Sequence, residues 1–554
     1  MDFNLENSNV VDFARPALNE LLVKKFRFRH SKILVVVDAG ISLSPGPDEF
    51  GIERVIRLLR ESNVGLWHFH ADVAVHNVGQ FSIVANPAGT AAKYVGFRFN
   101  SVLPGGAQVI DGYDQIWCFG ASGPITQDDE LASLTTWMNN GGGLFATGDH
   151  ATLGEGLCSR MPRIGTMRAW SNAQGVPPVG GEARIDTNRP FTAAEIAGTD
   201  VIAFDRQGDT LPQNIEWVAW YTHRHFPWTI HRRPHPVLCH PALGPIDVMP
   251  DHPHEGVVFD HVVQPDVNLA AITLGNTYNF NGVAGDEYPT AFGIRPLPFV
   301  IARGRTLADP PLQHAKGDSP AKRFSMISVY DGHRVGIGRV AADSTWHHWM
   351  NINITQLEAA GGANWEKIKR YYLNLALWLA PASHIYLGFT ATLVESFFAY
   401  PGIEEYAFEQ SRFELGLTLR QHLLRHLGPC WVTLFVLDHL KDLDRKLLDR
   451  FLEEYLREAP RKLEFPPKPK PNPCLSCPSP EGIEIMVLGG IADSILRNVF
   501  AGDTFEERVG ALEKLDQDSA VALIRQGVRE GMGEYATIYA AELDRGREFF
   551  EGVK

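Results

Sequence analysis

The segment from Gln115 to Thr147 constrains the fold more tightly than any other part of the chain. QIWCF at Gln115–Phe119 is an unbroken apolar run, Gly120–Ile125 is loop chemistry, and Gln127–Asn140 sets Leu131, Leu134, Trp137 and Met138 at helical spacing. GLFAT at Gly143–Thr147 closes the unit with a second apolar run. Continuous runs of this kind belong to strands buried on both faces of a parallel sheet. A short strand–helix–strand crossover is right-handed and places helices on both sides of that sheet. Thr126 is the expected helix N-cap, with Asp128 and Asp129 at the positive helix end. Asn139 to Gly143 supplies a left-handed stop.

The same grammar opens the chain. Ile33–Val37 reads ILVVV, Asp38 leads into a loop rich in Gly, Ser and Pro, and Ile52, Val55, Ile56 and Leu59 predict a helix over 50–60, with an alternating strand at 65–70. The expected class is α/β with a mostly parallel sheet. From about 155 to 330 the chain is richer in Pro, Gly and His, and Val201–Phe204, Gly256–Phe259 and Leu269–Leu274 predict further strands. Trp365–Leu379 predicts a closing helix that ends before Pro381. The expected divisions are an extension over 1–30, the α/β domain over 31–385, helical segments over 386–463 and 481–554, and a Pro-rich linker over 464–480. The helical C-terminal region is expected to bind a protein partner or a second copy of the chain.

A chain of 554 residues exceeds the reach of one small core. Fifty-one Lys and Arg stand against 65 Asp and Glu, with no basic stripe to follow a phosphate backbone, so nucleic acid is not an expected partner. The first residues lack the basic and apolar blocks of a signal peptide, and no apolar run reaches the roughly 20 residues of a membrane helix. A cytoplasmic location, with no membrane partner, is expected. Six cysteines make no disulfide framework. Cys474 and Cys477 form one CxxC inside a Pro-rich stretch, without the second pair a zinc site needs, and read as linker cysteines.

The run FGASGPITQDDELASLTTWMNNGGGLFATGDHAT, together with HPVL at His235–Leu238, DHPHEG at Asp251–Gly256 and GRVAADSTWHHW at Gly338–Trp349, resembles the glutamine-amidotransferase-like superfamily, in particular its trehalose-utilisation branch. The resemblance covers about residues 30–385. It implies a three-layer, flavodoxin-like sheet in which the strand ending at Thr147 runs into a sharp elbow that presents the reactive side chain. It also implies sugar-related substrates. The elbow here reads Gly148-Asp149-His150 and carries no Cys, and Cys158 lies eight residues beyond His150. Thiolate chemistry therefore has no evident nucleophile.

A carboxylate and an imidazole remain at the elbow, and the same two groups gather elsewhere. Eight of the 21 histidines fall between His223 and His261, and His347 and His348 follow Asp343. Parallel sheets place ligands at the C-terminal ends of their strands. The expected catalytic set is Asp149, His150, His254, Glu255 and His347, with Asp38, Ser122, Trp346 and His348 contacting a small-molecule substrate. One reading is general acid–base chemistry. The other is a divalent metal, Zn or Mn, held by His150, Asp251, His252, His254 and Glu255. Against both stand a capping turn at Asp149-His150 and solvated loop histidines at 251–256. Adjacent His347 and His348 on a strand would face opposite ways, leaving one of them structural. The functional expectation is a hydrolase-like enzyme for a small polar or carbohydrate-derived substrate. The alternative is a catalytically degenerate ligand sensor or scaffold.

Overall fold

A computed structural model describes residues 31–47, 50–149, 152–170, 201–203, 212–225, 229–250, 256–259, 277–305, 318–320, 323–385, 388–389, 392, 410–440 and 480–499, and, with short gaps, 501–552. Its centre is an 11-stranded sheet. The strands are β1 (Ser31–Val37), β2 (Asn63–Val64), β3 (Trp67–His76), β4 (Ser82–Ile83), β5 (Tyr94–Phe97), β6 (Gln115–Phe119), β7 (Gly143–Thr147), β8 (Glu216–Trp217), β9 (Phe299–Arg305), β10 (Arg323–Tyr330) and β11 (Val340–Asp343). Six of them, in the spatial order β5-β3-β1-β6-β7-β11, are parallel neighbours. Antiparallel strands extend both edges: β10, β9 and β8 beyond β11, and β4 beyond β5.

The unbroken apolar runs are buried on both faces. Ile33, Val35, Val37, Trp117, Phe119, Phe145 and Ala341 face one core, where they meet Val55, Ile56 and Leu59 of α1 (Glu53–Glu61). Leu34, Val36, Ile116, Cys118, Leu144, Ala146 and Ala342 face the other, against Leu131, Leu134, Trp137 and Met138 of α2 (Asp128–Asn139). The predicted helix over 127–140 is therefore present, but Thr126 does not cap it. Its hydroxyl instead donates to the Leu157 carbonyl at 2.9 Å, tying the loop to a short helical turn at Glu155–Cys158. The left-handed stop falls on Gly141, at φ 104°.

Farther along the chain, α3 (Asn351–Ala360) and α4 (Gly362–Leu379) follow β11, and α4 contributes Ile368, Tyr371, Tyr372 and Leu375 to the first core. Four more helices, α5 (Arg412–His426), α6 (Pro429–Leu440), α7 (Pro480–Val499) and α8 (Gln517–Gly552), complete the described chain. Leu419, Trp431, Phe435, Val487 and Ile491 join the same apolar cluster as β1 and α4. The predicted strand at Val201–Phe204 appears as Val201–Ala203, paired with Asp318–Pro320. At 256–259 the chain makes a single bridge, Val258 to Arg168, and the run Leu269–Leu274 lies outside the described residues. No helix among the described residues is long and apolar enough to cross a membrane.

Candidate functional site

The register of the parallel strands puts four chain positions in one row at their C-terminal ends. Val37 pairs with Phe119, Phe119 with Thr147, and Thr147 with Asp343. The loops that leave this row begin at Asp38, Gly120, Gly148 and Ser344. They sit around the place where strand order reverses between β1 and β6, which is where ligands bind in open α/β sheets.

Asp38 leaves β1 and turns its carboxylate into the neighbouring loop. Its Oδ2 accepts the backbone N–H groups of Ala121 at 2.6 Å and Gly123 at 2.8 Å, while Oδ1 accepts that of Gly40 at 3.0 Å. Only 2% of the residue is exposed. Asp38 thus fills with its own charge the amide cradle that an external anion would need, and it fixes the loop that carries the exposed Ser122.

At the elbow after β7, Gly148 is required by close approach: a Cβ there would lie 2.6 Å from the Leu153 carbonyl oxygen and 2.9 Å from Trp170. Asp149 follows, almost fully buried, with its N–H donating to the Leu153 carbonyl at 3.1 Å. Its side chain turns toward the segment after β11. The Thr345 hydroxyl donates to Asp149 Oδ1 at 3.1 Å, and His347 Nε2 stands 3.8 Å from Asp149 Oδ2. The Asn353 side-chain amide lies 3.4 Å from His347 Nδ1 and orients the ring from its other edge. The His347 side chain is 22% exposed, so the imidazole edge reaches solvent while the carboxylate does not.

The two adjacent histidines do diverge, but in a turn rather than on a strand, because β11 ends at Asp343. His348 is fully buried, with Nδ1 2.8 Å from Asp343 Oδ2. The same oxygen accepts from Trp349 Nε1 at 3.1 Å and Tyr371 OH at 3.3 Å, and the Tyr372 hydroxyl donates to the His348 carbonyl. Burial, reinforced by the Asp343 charge, pushes the Tyr371 phenol well above its ordinary pKa and keeps it a donor. His348 therefore braces the turn that holds His347. Trp346 is also buried and meets Phe50 edge-on at 5.6 Å, while Asn351 Nδ2 donates to the Ser44 and Gly46 carbonyls at 2.9 Å each. Together they stitch the first loop to this turn.

Beneath the elbow lies Arg168, also fully buried. Its guanidinium donates to the carbonyls of Asp343 (3.1 Å), Ala169 (2.8 Å), Asp149 (3.0 Å) and Ser344 (2.7 Å), and it packs 4.7 Å from the Trp170 ring. Sequence pattern did not single out Arg168, Thr345 or Asn353, since neither spacing nor composition marks a residue whose partners come from distant loops. DSTWHH was the one local signal, and it carries Asp343 and Thr345.

Of the expected residues, Asp149 and His347 come together. Asp38, Trp346 and His348 are buried supports around them. His150, Asp251, His252, His254 and Glu255 lie outside the described residues, and with them the whole expected metal set. Among the described residues no group of three or more His, Cys, Asp or Glu is arranged to hold a metal ion. Cys158 is fully buried against the second core and offers no thiol at the elbow. No family model, curated protein or solved structure matches the chain.

Proposed function

We propose that the chain is a hydrolase-like enzyme for a small polar or carbohydrate-derived substrate, with Asp149 and His347 as its acid–base pair. The 3.8 Å gap between Asp149 Oδ2 and His347 Nε2 carries this reading. It is too long for a direct hydrogen bond, and an oxygen placed beside it would lie within about 2.8 Å of both groups. A water or substrate hydroxyl there gives its proton to the carboxylate as it attacks. His347 Nε2–H then donates a hydrogen bond to the developing negative charge, and the proton held by Asp149 passes to the leaving group. Thr345 holds the carboxylate, Arg168 holds the backbone carbonyl of the same residue, and Asn353 stands against the other imidazole nitrogen.

We also infer a three-layer, flavodoxin-like arrangement of the sheet and its helices. Without β5, the parallel order is β3-β1-β6-β7-β11, which matches the 2-1-3-4-5 order of flavodoxin-like sheets. Helices α1 and α4 on one face and α2 on the other support three layers. Both features favour the glutamine-amidotransferase-like resemblance, with Asp149 at the elbow in place of the thiol. The sugar-related substrate rests on that analogy of fold. The expected partners His150, His254 and Glu255 lie outside the described residues, and a divalent Zn or Mn held by His150, Asp251, His252, His254 and Glu255 would lower the pKa of a water. Four buried free cysteines fit work in a reducing cytosol. Phe413 and Leu417, exposed one turn apart on α5, are the surface through which a protein partner or second copy would bind.

The test is turnover of a panel of glycosides, sugar esters and amides by the wild type, Asp149→Asn and His347→Ala, with metal analysis of each protein. Both variants are expected to lose about 10²–10⁴-fold in kcat/KM. Unchanged turnover in either would sink the assignment. Absence of all turnover, with a ligand-induced thermal shift, would favour the sensor reading.

A further inference from the structure

A second chemically distinctive site lies where the C-terminal helices meet the α/β body. Cys239 begins a short strand, Cys239–His240, just beneath the exposed turn at Ala242 and Leu243. Cys430 is the second residue of α6. About 190 positions separate the two cysteines in sequence, yet several contacts bring them together. Asn374 of α4 donates through Nδ2 to the Cys239 carbonyl at 2.8 Å, and its Oδ1 accepts the indole N–H of Trp431 at 3.2 Å. One amide thus pins both chain segments. Gly428, at φ 84°, packs so closely that a Cβ there would lie 3.2 Å from Cys239 Sγ. The Cys239 and Cys430 thiols are in hydrogen-bonding contact, and the Cys430 N–H, at the start of α6, also donates to the Cys239 sulfur.

We propose that Cys239 and Cys430 form a redox pair that closes into a disulfide on reaction with a peroxide, stapling α6 to the α/β body. The chemistry balances without any other reagent. The Cys239 thiolate attacks one peroxide oxygen and the O–O bond breaks, giving a sulfenic acid and hydroxide. The Cys430 thiol then attacks the Cys239 sulfur and loses its proton, and the sulfenic hydroxyl leaves as water. Two thiols are oxidised and one peroxide is reduced.

Cys239 is suited to be the attacking sulfur. The hydrogen bond from Cys430 lowers its pKa most, the α6 backbone N–H adds to this, and the guanidinium groups of Arg370 and Arg233 favour the thiolate, all against the opposing effect of burial. Cys118 and Cys158 are an internal contrast. They also contact each other and, like Cys239 and Cys430, are buried, but in the second core desolvation pushes the Cys118 thiol well up and no cation opposes it. Cys118 and Cys158 both belong to the α/β body, so only a Cys239–Cys430 link would tie α6 to it.

The test uses the full chain carrying Cys474→Ser and Cys477→Ser, so that the linker thiols take no part. Folded protein is treated with a slight excess of hydrogen peroxide, alkylated, digested without reduction and mapped by mass spectrometry. The expected product is a peptide linked through Cys239 and Cys430, with Cys118 and Cys158 alkylated only after unfolding, and a melting temperature raised by at least about 5 °C. Cys430→Ser should stop Cys239 at the sulfenic acid, detected with a dione trap. The proposal is overturned if the linked peptide is absent, if Cys118–Cys158 links first, or if Cys430→Ser leaves the trap unreacted.

Discussion

Arg168 carries a full positive charge in the protein interior, and the acceptors that hold it come from the elbow and the end of β11. A planar fork matches several acceptors at once, which an ammonium group cannot do. Arg168→Met leaves those buried carbonyls without a donor and is expected to cost on the order of 3 kcal/mol in chemical denaturation. Arg168→Lys should recover only part of that loss, and full recovery would show that charge rather than geometry matters. Glu287 illustrates the opposite balance. Its carboxylate accepts the Arg163 backbone N–H, but burial dominates and lifts its pKa from the ordinary 4.5 to about 7. The folded state therefore holds this proton over a pH range in which the unfolded chain has lost it. The associated stability is complete below about pH 4.5 and is lost as pH rises through 7. The wild type should melt lower at pH 8 than at pH 5, and Glu287→Gln should narrow that gap. An unchanged gap would assign the pH dependence elsewhere.

At the scale of elements, the C-terminal helices are held by backbone contact as much as by side chains. A Cβ at Gly489 of α7 would overlap the Arg412 carbonyl oxygen of α5, and one at Gly416 of α5 would overlap the Ile485 carbonyl oxygen of α7. The two glycines let the helix axes approach closely. Ser411 and Glu414 form a capping box at the start of α5, and Arg412 bonds Asp493 at 2.7 Å and Glu530 at 2.6 Å across the bundle. Gly489→Ala is expected to destabilise the protein by about 1–3 kcal/mol through overpacking. Gly533, inside α8, has nothing within 4 Å of its Cβ position. Gly533→Ala should therefore add roughly 0.5–1 kcal/mol, because alanine restricts the unfolded chain and favours helix. Thermal melts of the two variants should move in opposite directions.

At the scale of the molecule, the α/β body and the C-terminal helices share one apolar cluster. Polar contacts cross the same boundary: Trp431 to Asn374, Arg233 to Glu484 at 2.9 Å, and Arg339 to Asp438 at 3.5 Å. Arg339 is fully buried and stacks 4.9 Å from Trp378, so its charge depends on partners from both sides. A shared core of this kind is expected to unfold in one cooperative transition. Trp431→Ala, which empties a fully buried volume at the boundary, should cost about 3–5 kcal/mol and lower that transition as a whole. Two separated calorimetric peaks would show instead that the helices melt independently.

Local pattern was sufficient wherever a segment's own neighbours decide its state. The runs at Ile33–Val37, Gln115–Phe119 and Gly143–Thr147 are strands, and the helical periods at Asp128–Asn139 and Gly362–Leu379 are helices, because burial on both faces and 3.6-residue periodicity are written in consecutive residues. Thr126 shows where such reading stops: its hydroxyl had an acceptor from another loop that no local rule contains. The pairing of Asp149 with His347 depends on strand order, which brings β7 beside β11 across nearly 200 residues of chain. Asp38 looked like a ligand group and became an internal anion, since the amides that meet it belong to the loop after β6. Residue types that suit chemistry were legible in the chain. Their distances, their burial and their choice of partner arise only when the sheet assembles, because each depends on atoms far away in sequence.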